Sequence, residues 1–213
     1  MSTQAGNKVN LSMSVSADGF VAGPNQDEDN PLGVGGIELH RWHIDEGPES
    51  GAHPVNKQVM SEMMDGMGAF IMGRNMFGPI RGEWGDSDWK GWWGDDPPYH
   101  APTYVLTHHA HDPIEMEGGT TFHFIDASPA EALETAREAA DGQDVRIGGG
   151  PTMLREFLAA GLVDHVHIVV VPILLGRGVR LWDGLEGLEK DYEIEATSSP
   201  SGVTHVTFTR AGV

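Results

Sequence analysis

Residues 9–16, VNLSMSVS, alternate apolar with small polar side chains, the two-residue period of a strand with one buried face. Ala17-Asp18-Gly19 signals a turn, and Phe20-Val21-Ala22-Gly23 follows it. Residues 55–67 change period: Val59, Met63 and Met67 recur one helical turn apart, with Gly68 as the expected stop. Short apolar runs at 69–72, 103–107 and 120–125 predict strands. Ser128-Pro129-Ala130-Glu131 has the form of a helix start, with Ser as N-cap, Pro in the first turn and Glu to close a capping box. Ala132, Leu133, Ala136 and Ala140 carry that helix's apolar face as far as Gly142. Residues 163–175 are almost continuously apolar, which suits a strand covered on both sides. Residues 192–196 and 202–209 predict a closing pair of strands around a Ser/Pro/Gly turn. Strands alternating with helices specify an α/β fold: a mainly parallel central sheet flanked by helices, with antiparallel C-terminal strands. At 213 residues with no composition break, residues 1–213 are expected to form a single domain.

The pattern centres on residues 145–161, VRIGGGPTMLREFLAAG. A strand from Asp144 to Ile147 runs into Gly148, Gly149 and Gly150, which lack the Cβ that would block positive φ or close approach of a ligand. Pro151 suits the first helical turn. Met153, Leu154, Phe157 and Leu158 then repeat at helical spacing up to Gly161. The N-terminus of such a helix offers unpaired N–H groups and partial positive charge, which favours a phosphate; the alternative is a tight turn with no ligand.

Composition narrows the partners. The formal charge of −19 argues against nucleic acid and anionic membranes, and means that local Arg, His or backbone N–H groups must hold any anionic cofactor. The absence of cysteine removes disulfides, thiolate zinc sites and cysteine nucleophiles. No segment has the apolar core of a signal peptide or the length of a membrane span, so the expected location is the cytoplasm.

Two long stretches, 24–54 and 81–102, are rich in Gly, Pro and Asp and predict loops. The first has room for a short helix around Leu39–His43, and the second carries Trp84, Trp89, Trp92 and Trp93. These tryptophans fit either an aromatic lid over a flat substrate or, alternatively, loop packing or a dimer contact. In a parallel sheet, ligands gather beyond the C-terminal strand ends. Gly73-Arg74-Asn75, Thr107-His108-His109 and Gly148-Gly149-Gly150-Pro151-Thr152 all stand at such ends. Together they predict a dinucleotide site, with the glycine turn under the pyrophosphate and Arg74 and His108 on a second phosphate. Neither G-x-G-x-x-G nor a Walker sequence is present, and no G-x-S-x-G elbow supports a serine hydrolase. The His pairs 40/43 and 165/167 and the cluster 108/109/111 lack an acidic partner at fixed spacing, so no metal site is expected.

Met72-Gly73-Arg74, the Gly148–Thr152 turn and Asp18-Gly19-Phe20-Val21-Ala22-Gly23 resemble the dihydrofolate reductase fold. The run at 162–184, LVDHVHIVVVPILLGRGVRLWDG, is similar to the reductase domain of bifunctional riboflavin-biosynthesis deaminase-reductases. The resemblance implies an NADPH-dependent oxidoreductase. It places Val21 and Ala22 near the nicotinamide, Gly148 to Thr152 at the pyrophosphate, and Arg74 and His108 at the 2′-phosphate. It also implies a homodimer, and it makes Asp18 and Asp183 candidates for the proton that accompanies the hydride. Two departures stand out. Lys57 lies near the place of the acid that helps protonate the pterin in dihydrofolate reductases, with Glu62 several residues later; and Gly148 stands where the riboflavin-pathway reductases usually have Glu. The expectation is therefore hydride transfer to a small heterocycle, imine, enone or carbonyl, with a pterin or pyrimidinone among the choices. The alternative is a non-catalytic protein that binds a pterin, flavin or nucleotide in the same cleft.

Overall fold

The computed structural model describes residues 8–44, 54–86 and 88–212. In chain order the elements are β1 (Val9–Ser16), β2 (Phe20–Ala22), α1 (Arg41–Ile44), α2 (Pro54–Met64), β3 (Met67–Gly73), α3 (Arg74–Phe77), β4 (Pro102–Leu106) and β5 (Ile114–Glu115). There follow β6 (Thr121–Ile125), α4 (Pro129–Ala139), β7 (Asp144–Ile147), α5 (Pro151–Ala159), β8 (His165–Val171), β9 (Val179–Arg180), β10 (Tyr192–Ser198) and β11 (Thr204–Arg210). Among the described residues nine strands share one sheet in the order β10-β11-β8-β1-β7-β3-β4-β6-β5, and β2 pairs with β9 in a second, two-stranded sheet. β7, β3, β4 and β6 run parallel, and β8, β11 and β10 pair antiparallel, as the hydrophobic pattern predicts. The chain forms two compact units, Met1–Asn10 with Gly66–Val163 and Leu11–Asp65 with Asp164–Val213. Among the described residues no helix is long and apolar enough to cross a membrane.

The first unit follows the sequence pattern closely. Ser128 caps α4 as expected: its side chain accepts the Glu131 N–H while the Glu131 carboxylate takes the Ser128 N–H. Ala132, Leu133 and Ala136 are buried on the inner face of α4, and Met153, Leu154, Phe157 and Leu158 on that of α5. The segment between α3 and β4 has no regular element among its described residues, because Gly82, Gly85, Gly91 and Gly94 all take positive φ. Its aromatics nevertheless have a fixed place. Trp84, Trp89, Trp93 and Tyr99 pack against a core of Met72, Phe77, Val105 and Phe122, and Trp93 stacks on Phe122. Of the two roles open to the tryptophans, these contacts are loop packing.

In the second unit, Leu39, Trp42, Val59, Met63, Val169, Val171 and Val203 form the core between α1, α2 and β8. Two departures from the sequence expectation have a definite cause. The helix expected at 55–67 ends at Met64, because Gly66 at φ 76 turns the chain; Met67 and Gly68 already belong to β3. The apolar run 163–175 is a strand only over β8: Pro172 interrupts it, and Leu174 is 79% exposed rather than covered.

Candidate cofactor site

In the first unit three segments leave the sheet at the C-terminal ends of β3, β7 and β4, and each carries residues expected to meet a dinucleotide. The β7–α5 turn meets the end of β3 backbone to backbone. The Gly73 N–H donates to the Gly149 carbonyl (3.0 Å) and the Gly148 N–H to the Ile71 carbonyl (2.7 Å). Gly150 takes φ 109, and a Cβ there would lie 3.1 Å from Gly73 Cα, so the turn requires glycine at that position. Gly150 also precedes α5 without any side-chain cap, while Pro151 opens the helix and Thr152 lies in its first turn. The Gly149 N–H points at the Met76 thioether of α3. A thioether is a weak acceptor, so that N–H is met by the softest partner a protein offers.

Arg74 follows directly on β3. Its Nη1 donates to Thr107 Oγ1 at 3.3 Å, and its guanidinium carbon lies 3.8 Å over the centre of the Trp84 ring. Nε and Nη2 are cut off from water and have no hydrogen-bond partner among the described residues. Those two nitrogens form the edge through which a guanidinium binds a phosphate or carboxylate by two parallel bonds. Burial draws the group's pKa down, Arg81 adds a like charge, and Glu83 works in the opposite direction. Arg74 meets the end of β4 through Thr107, whereas His108, expected beside it on the same phosphate, turns outward and pairs with Asp126 at 2.8 Å. Asn75 is exposed on α3. Sequence reasoning missed Arg81 and the seat that Trp84 gives Arg74. Arg81 stands in a glycine-rich loop with no periodicity, and nothing in the sequence signals either.

In the second unit Asp18 sits in the turn between β1 and β2. Its carboxylate accepts from the Ser16 hydroxyl (2.6 Å) and from the N–H groups of Leu175 (3.1 Å) and Gly176 (2.7 Å). The Ser16 bond and the two backbone donors lower its pKa against the opposing effect of desolvation, so Asp18 is held as the anion. Val21 is buried and Ala22 half-buried in β2, where Gly178 presses so closely on the Ala22 carbonyl that no Cβ would fit. Asp183 is exposed in the turn after Leu181. In this unit His40 lies against His43 (3.1 Å), His167 against His205 (3.1 Å) and His165 against the Thr209 hydroxyl (3.3 Å). Among the described residues no three His, Asp or Glu side chains gather to hold a metal ion.

Comparison with solved structures finds the same fold. A candidate riboflavin biosynthesis protein from Shewanella sp. PV-4 aligns with a TM-score of 0.61 at 22% identity, over 95% of this chain and 98% of that one. The deaminase/5-amino-6-(5-phosphoribosylamino)uracil reductase of Thermotoga maritima gives 0.60 at 16% identity, over 97% of this chain and 57% of that one. Dihydrofolate reductase from Enterococcus faecalis, in complex with NADP(H), gives 0.54 at 16%, over 96% of each. In sequence, the riboflavin biosynthesis protein RibD of Mycobacterium tuberculosis is 42% identical over 53 residues, which is 25% of this chain and 16% of that protein. The RibD C-terminal domain model matches residues 7–205, nearly the whole chain, and the protein therefore belongs to the RibD C-terminal domain family.

Proposed function

We propose that the protein, acting over residues 1–213 as one reductase domain, is an NADPH-dependent oxidoreductase. Its substrate on this reading is a small heterocycle of the pyrimidinone or pterin kind, or a related imine, enone or carbonyl. The observation that carries the reading is the unused Nε–Nη2 edge of Arg74, one residue beyond the strand end that closes on the glycine turn. Family membership and the NADP(H) complex of the E. faecalis relative support the same cofactor.

The residues fit that group. Gly148, Gly149 and Gly150 present backbone without side chains, and the flexible Met76 thioether is readily displaced by an anion. Gly73 braces the turn. Arg74, with Thr107 behind it and Asn75 and His108 at its margins, takes a terminal phosphate; Pro151 and Thr152 begin the helix whose N–H groups face the pyrophosphate. Val21 and Ala22 border the nicotinamide on the family resemblance. When bound, NADPH supplies a hydride from C4 of its nicotinamide ring. The chain's own part is to orient donor and acceptor and exclude water. Asp18, held ionised, receives or relays a proton and does not store one at neutral pH, and Asp183 stands exposed to solvent. Water is therefore the proton's immediate source.

The RibD relatives at full length and the T. maritima reductase extend beyond the part matched here, so their substrates enter only as the first to try. We further propose that the protein works as a homodimer in the cytoplasm. The contact is the face of β10 and β11 that carries Ile194, Ala196, Val206 and Phe208, which holds no acidic side chain in a chain of charge −19. The test is to follow NADPH absorbance with the purified protein and a panel of pyrimidinones, pterins, enones and carbonyls. Oxidation by one acceptor class supports the reductase. Saturable NADPH binding with no oxidation by any of them would point instead to a pterin-, flavin- or nucleotide-binding protein.

A further inference from the structure

The Arg74 fork does not stand by itself. Thr107 Oγ1 accepts both from Arg74 Nη1 (3.3 Å) and from the His109 N–H (3.2 Å). The His109 carbonyl accepts from Trp84 Nε1 (3.0 Å), and the Trp84 ring carries the Arg74 guanidinium on its face at 3.8 Å. Arg74, Thr107, His109 and Trp84 thus form a closed circuit of contacts. The indole itself is wedged edge-to-face against Phe77 (5.9 Å), Phe124 (5.1 Å) and His111 (5.0 Å). An aromatic face attracts a guanidinium through its quadrupole while leaving every N–H of the guanidinium edge unspent. The Thr107 bond uses Nη1 alone. The arrangement therefore fixes the plane of Arg74 and keeps the Nε–Nη2 edge uncommitted.

We propose that Trp84 is the positioning residue for cofactor discrimination: it holds the Arg74 fork so that a phosphomonoester on the adenosine ribose is bound through both nitrogens. This rests on the assignment of Arg74 to the 2′-phosphate, and extends it from the cation to the ring that aims it. A Lys in place of Arg74 would not be held in this way, since an ammonium has no plane to be fixed.

The test compares two probes, adenosine 2′,5′-bisphosphate and adenosine 5′-monophosphate, by calorimetric titration of the full-length protein. The ratio of their affinities isolates the 2′-phosphate. Trp84→Leu is expected to lower that ratio about tenfold, with Trp84→Phe recovering most of the loss because it keeps a π face. Arg74→Ala should lower the ratio at least as far. If Arg74→Ala reduces the ratio and Trp84→Leu leaves it unchanged, the positioning role is overturned while the cofactor reading stands. If neither variant changes it, the cofactor reading itself fails. Should the Leu variant not fold, tryptophan emission decides. Binding of the bisphosphate to the wild-type protein, but not of the monophosphate, should change the emission, and Trp84→Phe should lack that change. An emission response identical in both proteins would overturn the proposal.

Discussion

Two residues set what the proposed cofactor corner can hold. Arg74→Ala removes a fork whose Nε–Nη2 edge is unspent among the described residues, so NADPH should weaken roughly 10- to 100-fold, the loss of charge-assisted hydrogen bonds, while NADH changes little. Titration of both cofactors checks this, and equal losses would remove Arg74 from the 2′-phosphate. Gly149→Val sets a branched side chain where a Cβ already lies 3.1 Å from the Met76 sulfur. NADPH binding should vanish while the fold is retained at a lowered melting temperature, since Met76 must give way, and retained affinity would clear the turn of its role. At this scale the sequence was informative where chemistry is local. The three glycines and an arginine after a strand can be read directly. Asp18 cannot be read in that way: its partners Leu175 and Gly176 lie far along the chain, and only the fold brings their N–H groups to its carboxylate. The Trp84–Arg74 stack is hidden for the same reason, because Phe77 and Phe124 seat the indole and neither is a neighbour in the sequence.

Among the elements, α4 is the one whose start is written entirely in adjacent residues. Ser128→Ala, which removes the hydroxyl half of the capping box and leaves the backbone N–H bond to Glu131, should cost about 1 kcal/mol in urea unfolding and leave cofactor affinity unchanged. The segment around α1 behaves differently. Burial, and then the nearby His43, depress His40 to about 4 from an ordinary 6.5. The unfolded chain therefore takes up the proton first as pH falls. The stabilisation is complete above about pH 6.5 and is lost down towards pH 4, at most on the order of 3 kcal/mol. Burial lowers His43 and His205 as well, which steepens the same acid limb. His40→Gln should make stability between pH 7 and pH 5 measurably flatter in urea titrations, and an unchanged slope would contradict this origin. Element type was legible over the long runs, where the periods of two and 3.6 are strong, whereas α3, β5 and β9 are too short to show a period and were not expected. Boundaries were less so: Gly66, not Gly68, stops α2, since what matters is which glycine takes positive φ, and composition does not say.

For the whole molecule, charge and shape govern how it meets other molecules. With −19 on the chain, an anionic cofactor bound for the proposed site at Arg74 and the turn would approach against a repulsive field. Raising ionic strength from about 0.01 M to about 0.15 M shortens the Debye length from roughly 30 Å to roughly 8 Å. Stopped-flow association of NADPH should therefore quicken with salt, and a slowing would indicate that local attraction dominates the encounter. The sheet end formed by β10 and β11 gives the second test. Ile194 is 48% exposed beside Phe208, so Ile194→Glu should turn a sedimenting dimer into monomers at micromolar concentration. A wild-type protein that already sediments as a monomer would remove that contact.

The most direct measurement is the electron density of the protein crystallised with saturating NADPH. It should show the bridging phosphates on the backbone N–H groups of the Gly148–Gly150 turn, the Met76 thioether displaced from Gly149, and the 2′-phosphate on Arg74 Nε and Nη2. Met76 still seated on the Gly149 N–H, with the dinucleotide bound elsewhere or not at all, would contradict the account.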